Sequence, residues 1–351
     1  MKAIIQTGYC PSEHGYAAVV RKEDSFPIPQ PEDDEATIRI QAAALNPADV
    51  RLIDGSVQRF LTLPMPFVMG RDFAGVVESL PRDSTKNPQN LQVGDMVCGY
   101  CDPNASHCVG SMAEYIVAPA STLRKVPTTV HPRSAAGLGV AGATAYQAVK
   151  GLQLQRGSSL LILGGSSAIG LFATAMAKDA GCETITVTSS NEALCRAFGA
   201  TEVVNYRVVD WIDSLQGRSY DYVLDTVEGY RGWKGAQGVL KKSGAKYATV
   251  VMDDPKAKDL TIRDLVAQIG GIINRKFWSL FGWPAYHLTM MVANTGEAQA
   301  YFLQSIEKGV LPADQLLDTR GPFPFTSEAC VEMLTIQQAG AAKGKLVMCV
   351  S

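Results

Sequence analysis

The sequence is short of everything that marks a membrane protein, a nucleic-acid binder or a disulfide scaffold. No stretch approaches the roughly 18 consecutive apolar residues that span a bilayer. Lysine and arginine (32) nearly balance aspartate and glutamate (34), so the net charge is −2 and no broad positive field is there to hold nucleic acid or anionic lipid. Lys241-Lys242 is the nearest thing to a basic cluster. Eight cysteines in 351 residues are too dilute for a disulfide framework. Cys182, Cys195 and Cys349 fall in helix or strand segments, as small core residues do. The opening run from Met1 to Gly8 is too short for the apolar part of a signal peptide and reads as a first strand. There is no internal repeat and no low-complexity segment. These absences predict a cytoplasmic protein with a small-molecule partner, and neither nucleic acid nor membrane.

What the chain does have is core. Hydrophobic residues make up 46% and charged residues 19%, and 351 residues exceed the size at which one core stops growing, so two domains are expected. The first 120 or so residues are β-rich: Ala36 to Ala42 alternates with a period of two, and Gly75–Leu80 and Glu114–Val117 are further strands. After about Ser134 the character changes. An alanine-rich helical stretch leads to Leu160-Leu161-Ile162-Leu163, a continuous apolar run suited to a strand buried on both faces. A glycine turn follows, then helix 169–180, strand Thr184–Thr188, helix 191–198 and strand Glu202–Val204. Tyr220–Leu224 and Lys246–Val251 continue the series, which predicts a doubly wound α/β domain. Beyond about Ala293 the pattern shows one amphipathic helix, Glu297–Glu307, and a last strand from Lys345 that fits either domain.

The turn reads Gly164-Gly165-Ser166-Ser167-Ala168-Ile169-Gly170. Glycines let a backbone approach a pyrophosphate, and the helix that follows offers unpaired N–H groups and the positive end of its dipole. Against G-x-G-x-x-G the first and third glycines are kept and Ser167 replaces the middle one. Ser166, Asp225 and His287 do follow the chain order of an α/β-hydrolase triad, but Ala168 stands where the nucleophile elbow requires glycine. NAD enzymes place a carboxylate about 20 residues past the turn, on the ribose 2′-hydroxyl. Here that place reads Thr188-Ser189-Ser190-Asn191, with nothing to repel a 2′-phosphate. Ser189, Ser190 and Asn191 are therefore predicted to bind it, with Tyr206 and Arg207 completing the site, and NADPH is the expected cofactor.

Five further motifs carry a family resemblance over nearly the whole chain. They are Asn46-Pro47-Ala48-Asp49, the run from Gly70-Arg71-Asp72 to Val77, Val93-Gly94-Asp95-Met96-Val97, Gly142-Ala143-Thr144-Ala145-Tyr146, and Lys343-Gly344-Lys345-Leu346-Val347. Together they resemble the medium-chain dehydrogenase/reductase superfamily, in its zinc-independent quinone oxidoreductase and trans-acting enoyl reductase branch. The resemblance implies an α/β fold: a GroES-like β-rich catalytic domain over 1–124, a Rossmann NADPH-binding domain over 125–284, and a return to the catalytic domain over 285–351. It implies a cofactor in the cleft, Asn46 and Thr144 as catalytic residues at the nicotinamide, and Lys345 among the cofactor contacts. It implies hydride transfer to the activated C=C bond of an enone, enoyl thioester or quinone, on a small-molecule or carrier-bound acyl substrate. A polyketide synthase partner, and a monomer or homodimer, follow at the same level; general quinone or alkenal reduction and a non-catalytic nucleotide-binding scaffold are the alternatives.

Metal is tested directly by the same motifs. Zinc relatives need a cysteine near position 46 and a histidine in the second motif, where this chain has Asn46 and Arg71, and arginine cannot ligate zinc. Cys98, Cys101, Cys108 and His107 cluster without the spacing of a four-ligand site, so no metal is expected. The tyrosine that serves enoyl thioester reductases as proton donor after the first motif is missing from Asp54-Gly55-Ser56-Val57-Gln58. Water, the cofactor 2′-hydroxyl, Tyr100 and Tyr286 stay open as donors, and Arg71 with Asp72 is expected to form a structural ion pair or hydrogen-bonded set. The aromatic segment from Phe277 to His287 suits either an apolar pocket wall or a buried crossing segment.

Overall fold

The computed structural model describes residues 1–10, 15–101, 110–255, 257, 261–289 and 296–350. Two compact units result: Met1–Ala143 with Ala293–Gly309 and Ala313–Ser351, and Thr144–Val292 with Val310–Pro312. The divisions lie later in the chain than the composition shift at 124/125 and the expected return at 284/285. The reasons are visible in the pairing described below: residues 124–136 pack on the first unit's sheet, and residues 285–288 pair into the second's.

Unit 1 begins with β1 (Ala3–Gln6) and β2 (Val20–Glu23), then β3 (Glu35–Leu45), α1 (Pro47–Ile53) and β4 (Phe67–Val68). It continues through β5 (Asp72–Ser79), β6 (Met96–Tyr100), β7 (Tyr115–Pro119), β8 (Arg124–Lys125) and α2 (Pro132–Ala136). Strand β3 is its spine. Its first half alternates, with Ile38 and Ile40 buried between half-buried Thr37, Arg39 and Gln41; from Ala42 to Leu45 every residue is buried. The spine therefore delivers Asn46, the next residue, into the interior. It pairs antiparallel with β5 and β7, and β5 in turn with β6.

Helix α3 (Val140–Leu152) runs on into unit 2, where β9 (Ser159–Leu163), α4 (Ala168–Asp179), β10 (Thr184–Thr188), α5 (Glu192–Ala197) and β11 (Glu202–Val204) follow. Then come α6 (Trp211–Ser214), β12 (Tyr222–Asp225), α7 (Tyr230–Ala236), β13 (Lys246–Thr249), α8 (Ile262–Ser279) and β14 (Ala285–Leu288). All six strands are parallel, in the order β11-β10-β9-β12-β13-β14. Numbered within the unit that is 3-2-1-4-5-6, the Rossmann order, which reverses between β9 and β12. Leu160 to Leu163 are fully buried, as the apolar run required.

The sequence pattern does not reveal α8. Its one buried residue is Arg275, which reaches Asp253 at 2.7 and 2.5 Å and Tyr286 Oη at 2.9 Å. The same guanidinium lies 5.0 to 5.9 Å from the rings of Tyr230, Trp233 and Tyr286, so a cation–π set ties the helix to the sheet. The aromatic segment divides accordingly. Phe277, Trp278, Phe281 and Trp283 are exposed, while Tyr286 is a buried strand residue with its hydroxyl held by Arg275.

The chain returns through α9 (Glu297–Glu307), α10 (Ser327–Gln338) and β15 (Leu346–Cys349). Helix α10 also escapes the pattern, because only Ala329, Cys330, Met333 and Leu334 of its twelve residues are buried. Those four join Leu45, Ile53, Met69 and Met348 in one core of unit 1. Strand β15 pairs antiparallel with β3, Leu346 opposite Leu45, which settles the destination of the final strand. No helix among the described residues is long and apolar enough to cross a membrane.

Candidate active site

In unit 2 the glycine turn leaves the carboxyl end of β9 at the point where the sheet order reverses. Gly164 sits at φ +91°, and a Cβ there would stand 2.4 Å from Thr226 Oγ1. At Gly170 a Cβ would lie 2.3 Å from the carbonyl oxygen of Gly164, so α4 packs directly on the turn. Ser167, in place of the middle glycine, is the helix N-cap: its Oγ accepts from Gly170 N at 3.0 Å and lies 3.2 Å from Thr226 Oγ1. Gly164 N donates to Thr188 Oγ1 and Gly165 N to Thr188 O, both at 2.9 Å, pinning the turn to β10. The first-turn N–H groups of Ala168 and Ile169 have no helical carbonyl to reach, and Ser166, Ala168 and Ile169 are only half-buried. The cradle is a backbone device that fits a pyrophosphate: close approach, open N–H groups and a helix dipole.

The loop after β10 lies one strand away. Ser189 is buried and its Oγ accepts from Asn191 N at 2.9 Å; Asn191 caps α5 by accepting from Leu194 N at 3.3 Å. Ser190 is exposed, and its side chain stands near Tyr206. That neighbour, with Arg207 alongside, lowers the Tyr206 phenol below its usual pKa. The structure thus brings together Ser190, Tyr206 and Arg207 across the ends of β10 and β11. Thr144 is half-buried on α3, where unit 2 begins.

The hydrolase triad does not assemble around Asp225. That carboxylate is buried, accepts from the N–H groups of Val227, Glu228 and Gly229 and accepts Tyr247 Oη–H at 2.7 Å. His287 stands on β14, its pKa lowered by burial.

Unit 1 holds a second, different arrangement. Asn46 N donates to Asp49 Oδ2 at 2.7 Å, closing the entry to α1. Burial pushes the Asp49 carboxyl up to about 6, against the opposing charge of Arg71. Lys345, just ahead of β15, is 2% exposed. Its ammonium donates to Asn46 Oδ1 at 2.7 Å, Asp72 Oδ2 at 2.8 Å and Leu45 O at 3.2 Å. Asp72 accepts in addition from Val140 N at 2.9 Å. Two expectations change here. Asp72 is the counter-ion of Lys345 rather than of Arg71, whose Nε donates to Cys101 O at 3.1 Å. Lys345, expected among cofactor contacts, spends its three N–H groups on protein oxygens, since an ammonium has only three to give. Sequence reasoning misses Asp49 and Asp72 as members of a site; the signal is two carboxylates set in runs otherwise destined for the core.

Cys98 is buried on β6 with its thiol pushed up to about 12 by desolvation, Cys101 donates to Arg71 O at 3.1 Å, and Cys108 with His107 lies outside the described residues. Among the described residues no three His, Cys, Asp or Glu side chains gather as a metal site would need. Tyr100, the other candidate donor, is buried on β6.

Two family models match the chain: the alcohol dehydrogenase GroES-like domain over residues 32–128, and the zinc-binding dehydrogenase domain over residues 168–270. Among relatives, the trans-enoyl reductase thnE of Trichoderma harzianum is 31% identical over 64% of this chain and 64% of its own length, just under two thirds. The chloroplastic quinone-oxidoreductase QR1 of Triphysaria versicolor is 28% identical over 99% of this chain and 98% of its own. The chain belongs to the medium-chain dehydrogenase/reductase superfamily. Within it, the chain falls in the quinone oxidoreductase and enoyl reductase branch. The quinone oxidoreductase of Coxiella burnetii superposes with a TM-score of 0.78 at 26% identity, over 100% of this chain and 99% of that one. The Escherichia coli quinone oxidoreductase complexed with NADPH gives 0.75 at 18% identity, over 99% and 100%, which speaks for the fold. Both domains of the expected fold are present, a β-rich GroES-like one and a parallel-sheet Rossmann one.

Proposed function

We propose that this medium-chain oxidoreductase reduces an activated carbon–carbon double bond, in an enone, enoyl thioester or quinone, with NADPH and without zinc. The observation that carries the reading is the loop at the ends of β10 and β11. Ser189, Ser190, Asn191, Tyr206 and Arg207 offer hydroxyls, a carboxamide and a cation where an NAD enzyme keeps a carboxylate. Gly164–Gly170 would hold the pyrophosphate through backbone N–H groups, and Thr144 the nicotinamide ribose. NADPH, when bound, supplies the hydride.

The protein's own part is orientation and charge stabilisation. As the β-carbon of the substrate gains hydride, charge develops on the carbonyl oxygen. Asn46 Nδ2, buried and without a hydrogen-bond partner among the described residues, has an N–H to offer it. The α-carbon then takes its proton from water, the cofactor 2′-hydroxyl or Tyr100, since no tyrosine closely follows Asn46-Pro47-Ala48-Asp49 and the Tyr286 hydroxyl is held in the core of unit 2. A carrier-bound acyl chain, delivered by a polyketide synthase, is the substrate form favoured by the likeness to thnE. A free quinone or alkenal is favoured by the end-to-end likeness to QR1.

The test is loss of NADPH absorbance against a panel of quinones, alkenals and acyl thioesters, repeated with NADH. At least one substrate turns over, with kcat/KM for NADPH above that for NADH by about tenfold or more. Equal efficiency with the two nucleotides rules out the cofactor assignment. Tight NADPH binding with no turnover on any substrate identifies a nucleotide-binding scaffold instead.

A further inference from the structure

The buried ion pair of unit 1 does something more specific than hold the fold. We propose that Lys345 and Asp72 are positioning residues that lock the Asn46 carboxamide in one orientation, leaving its Nδ2 as a fixed donor to a carbonyl oxygen of the bound reactants. This rests on the reading of Asn46 given above and adds the means by which it is aimed.

An asparagine side chain presents an acceptor on one side and a donor on the other, and a half-turn about its last torsion exchanges them. An ammonium has only donors. With Lys345 Nζ 2.7 Å from one end of the Asn46 amide, that end is Oδ1, and the NH2 group must point the other way. The half-turned amide would set NH2 against NH3⁺ inside a desolvated site, where such a clash is least tolerable.

Lys345 is itself immobilised. The β15–β3 register sets Leu346 opposite Leu45 and so brings Lys345 beside Asn46. Asp72 Oδ2 takes a second N–H at 2.8 Å and Leu45 O the third. Asp72 is fixed from behind by Val140 N. Asp72 also balances the lysine charge, so the cation aims Asn46 without presenting itself to a ligand. On the far side, Asn46 Nδ2 is buried and has no hydrogen-bond partner among the described residues. A buried donor left in this way calls for an acceptor, and the carbonyl oxygen of an acyl substrate or of a nicotinamide carboxamide has the right chemistry.

The pair is best removed as a neutral unit, Lys345→Met with Asp72→Asn, which leaves no lone buried charge. With Asn46 Oδ1 left only its capping contact with the Asp49 backbone, the amide is no longer fixed, kcat falls about 100-fold, and NADPH affinity by fluorescence titration stays within about threefold if the acceptor belongs to the substrate. If the acceptor is the cofactor carboxamide, the loss appears in NADPH affinity instead. Lys345→Arg keeps a donor beside Oδ1 and recovers at least about tenfold of whichever is lost, which a general loss of folded protein would not produce. A second readout needs no turnover: in protein labelled with 15N-asparagine, the Asn46 side-chain amide pair, assigned by its loss in Asn46→Asp, shifts or broadens in the double variant. Where the double variant does not fold, Lys345→Gln presents both a donor and an acceptor, and the Asn46 pair should then split into two sets. An unchanged amide pair, or kcat and NADPH affinity both within about twofold of the parent, overturns the proposal. If the parent turns over nothing yet its amide pair responds to the variants, the positioning stands and the reductase reading fails.

Discussion

In unit 2 the cradle from Gly164 to Gly170 is made of consecutive backbone, whereas in unit 1 the network on Asn46 joins the side chains of Asn46, Asp72 and Lys345 with backbone groups of Leu45 and Val140. The cradle needs little more than absent Cβ atoms, an N-cap and a strand to pin it, all within or beside one turn. The network needs β3, β5 and β15 in register before any of its bonds exist. A phosphate site can be local, because every residue but proline carries a backbone N–H group. A site that aims one amide must borrow its support from distant sequence.

The sharpest way to break the comparison is Lys345→Ala, which leaves Asp72 buried without its cation. Unit 1 should lose about 3–5 kcal/mol in urea unfolding, with no corresponding truncation available in the backbone cradle. A loss under about 1 kcal/mol would mean that water reaches Asp72 once the lysine is gone.

Next in size is a pH effect confined to the same network. The folded Asp49 carboxyl titrates at about 6 against a reference of 3.8. Its raised value means that the folded state keeps a proton the unfolded chain has given up. Stability from this group is therefore full below about pH 4 and lost as pH rises through about 6, by about 3 kcal/mol. Asp49→Asn, which still accepts from Asn46 N, should flatten that slope in denaturation curves taken across the window. An unaltered slope would place the titration elsewhere.

The cradle is probed by Gly170→Ala. The added methyl meets the Gly164 carbonyl, so the turn must open at a cost of about 1–3 kcal/mol, with weaker NADPH binding in the same titration. The smallest expected effect is on nucleotide choice. Ser190→Asp sets a carboxylate beside Tyr206 and should lower the NADPH-to-NADH preference by about tenfold in kcat/KM, with thermal stability unchanged. A preference that does not move would take Ser190 out of the 2′-phosphate site.

Most of unit 2 is legible in the amino-acid pattern alone. Thr184–Thr188 and Glu202–Val204 coincide with β10 and β11, where β-branched residues mark the strands, and Leu160–Leu163 lies within β9, because a strand buried on both faces is written as an unbroken apolar run. Helix α8 is not legible. Gly270-Gly271 interrupts it, and its apolar residues Ile262, Val266, Ile269 and Ile273 face outward, while the buried anchor is an arginine. Asn46 is legible as a site residue by motif. That Lys345 meets Asn46 and Asp72 is not legible, since nothing near either residue in the chain says what an ammonium will meet.

The sequence by itself determined the turn at Gly164–Gly170, the serine that caps it and the missing carboxylate beyond it, because each depends on neighbours a few residues away. Only the tertiary structure decided that Lys345 meets Asp72 across 273 residues and Asn46 Oδ1 across 299, leaving Asn46 Nδ2 buried without a partner among the described residues. A hydrogen bond's direction depends on which atoms arrive within about 3 Å, and strand register sets that distance where sequence spacing does not.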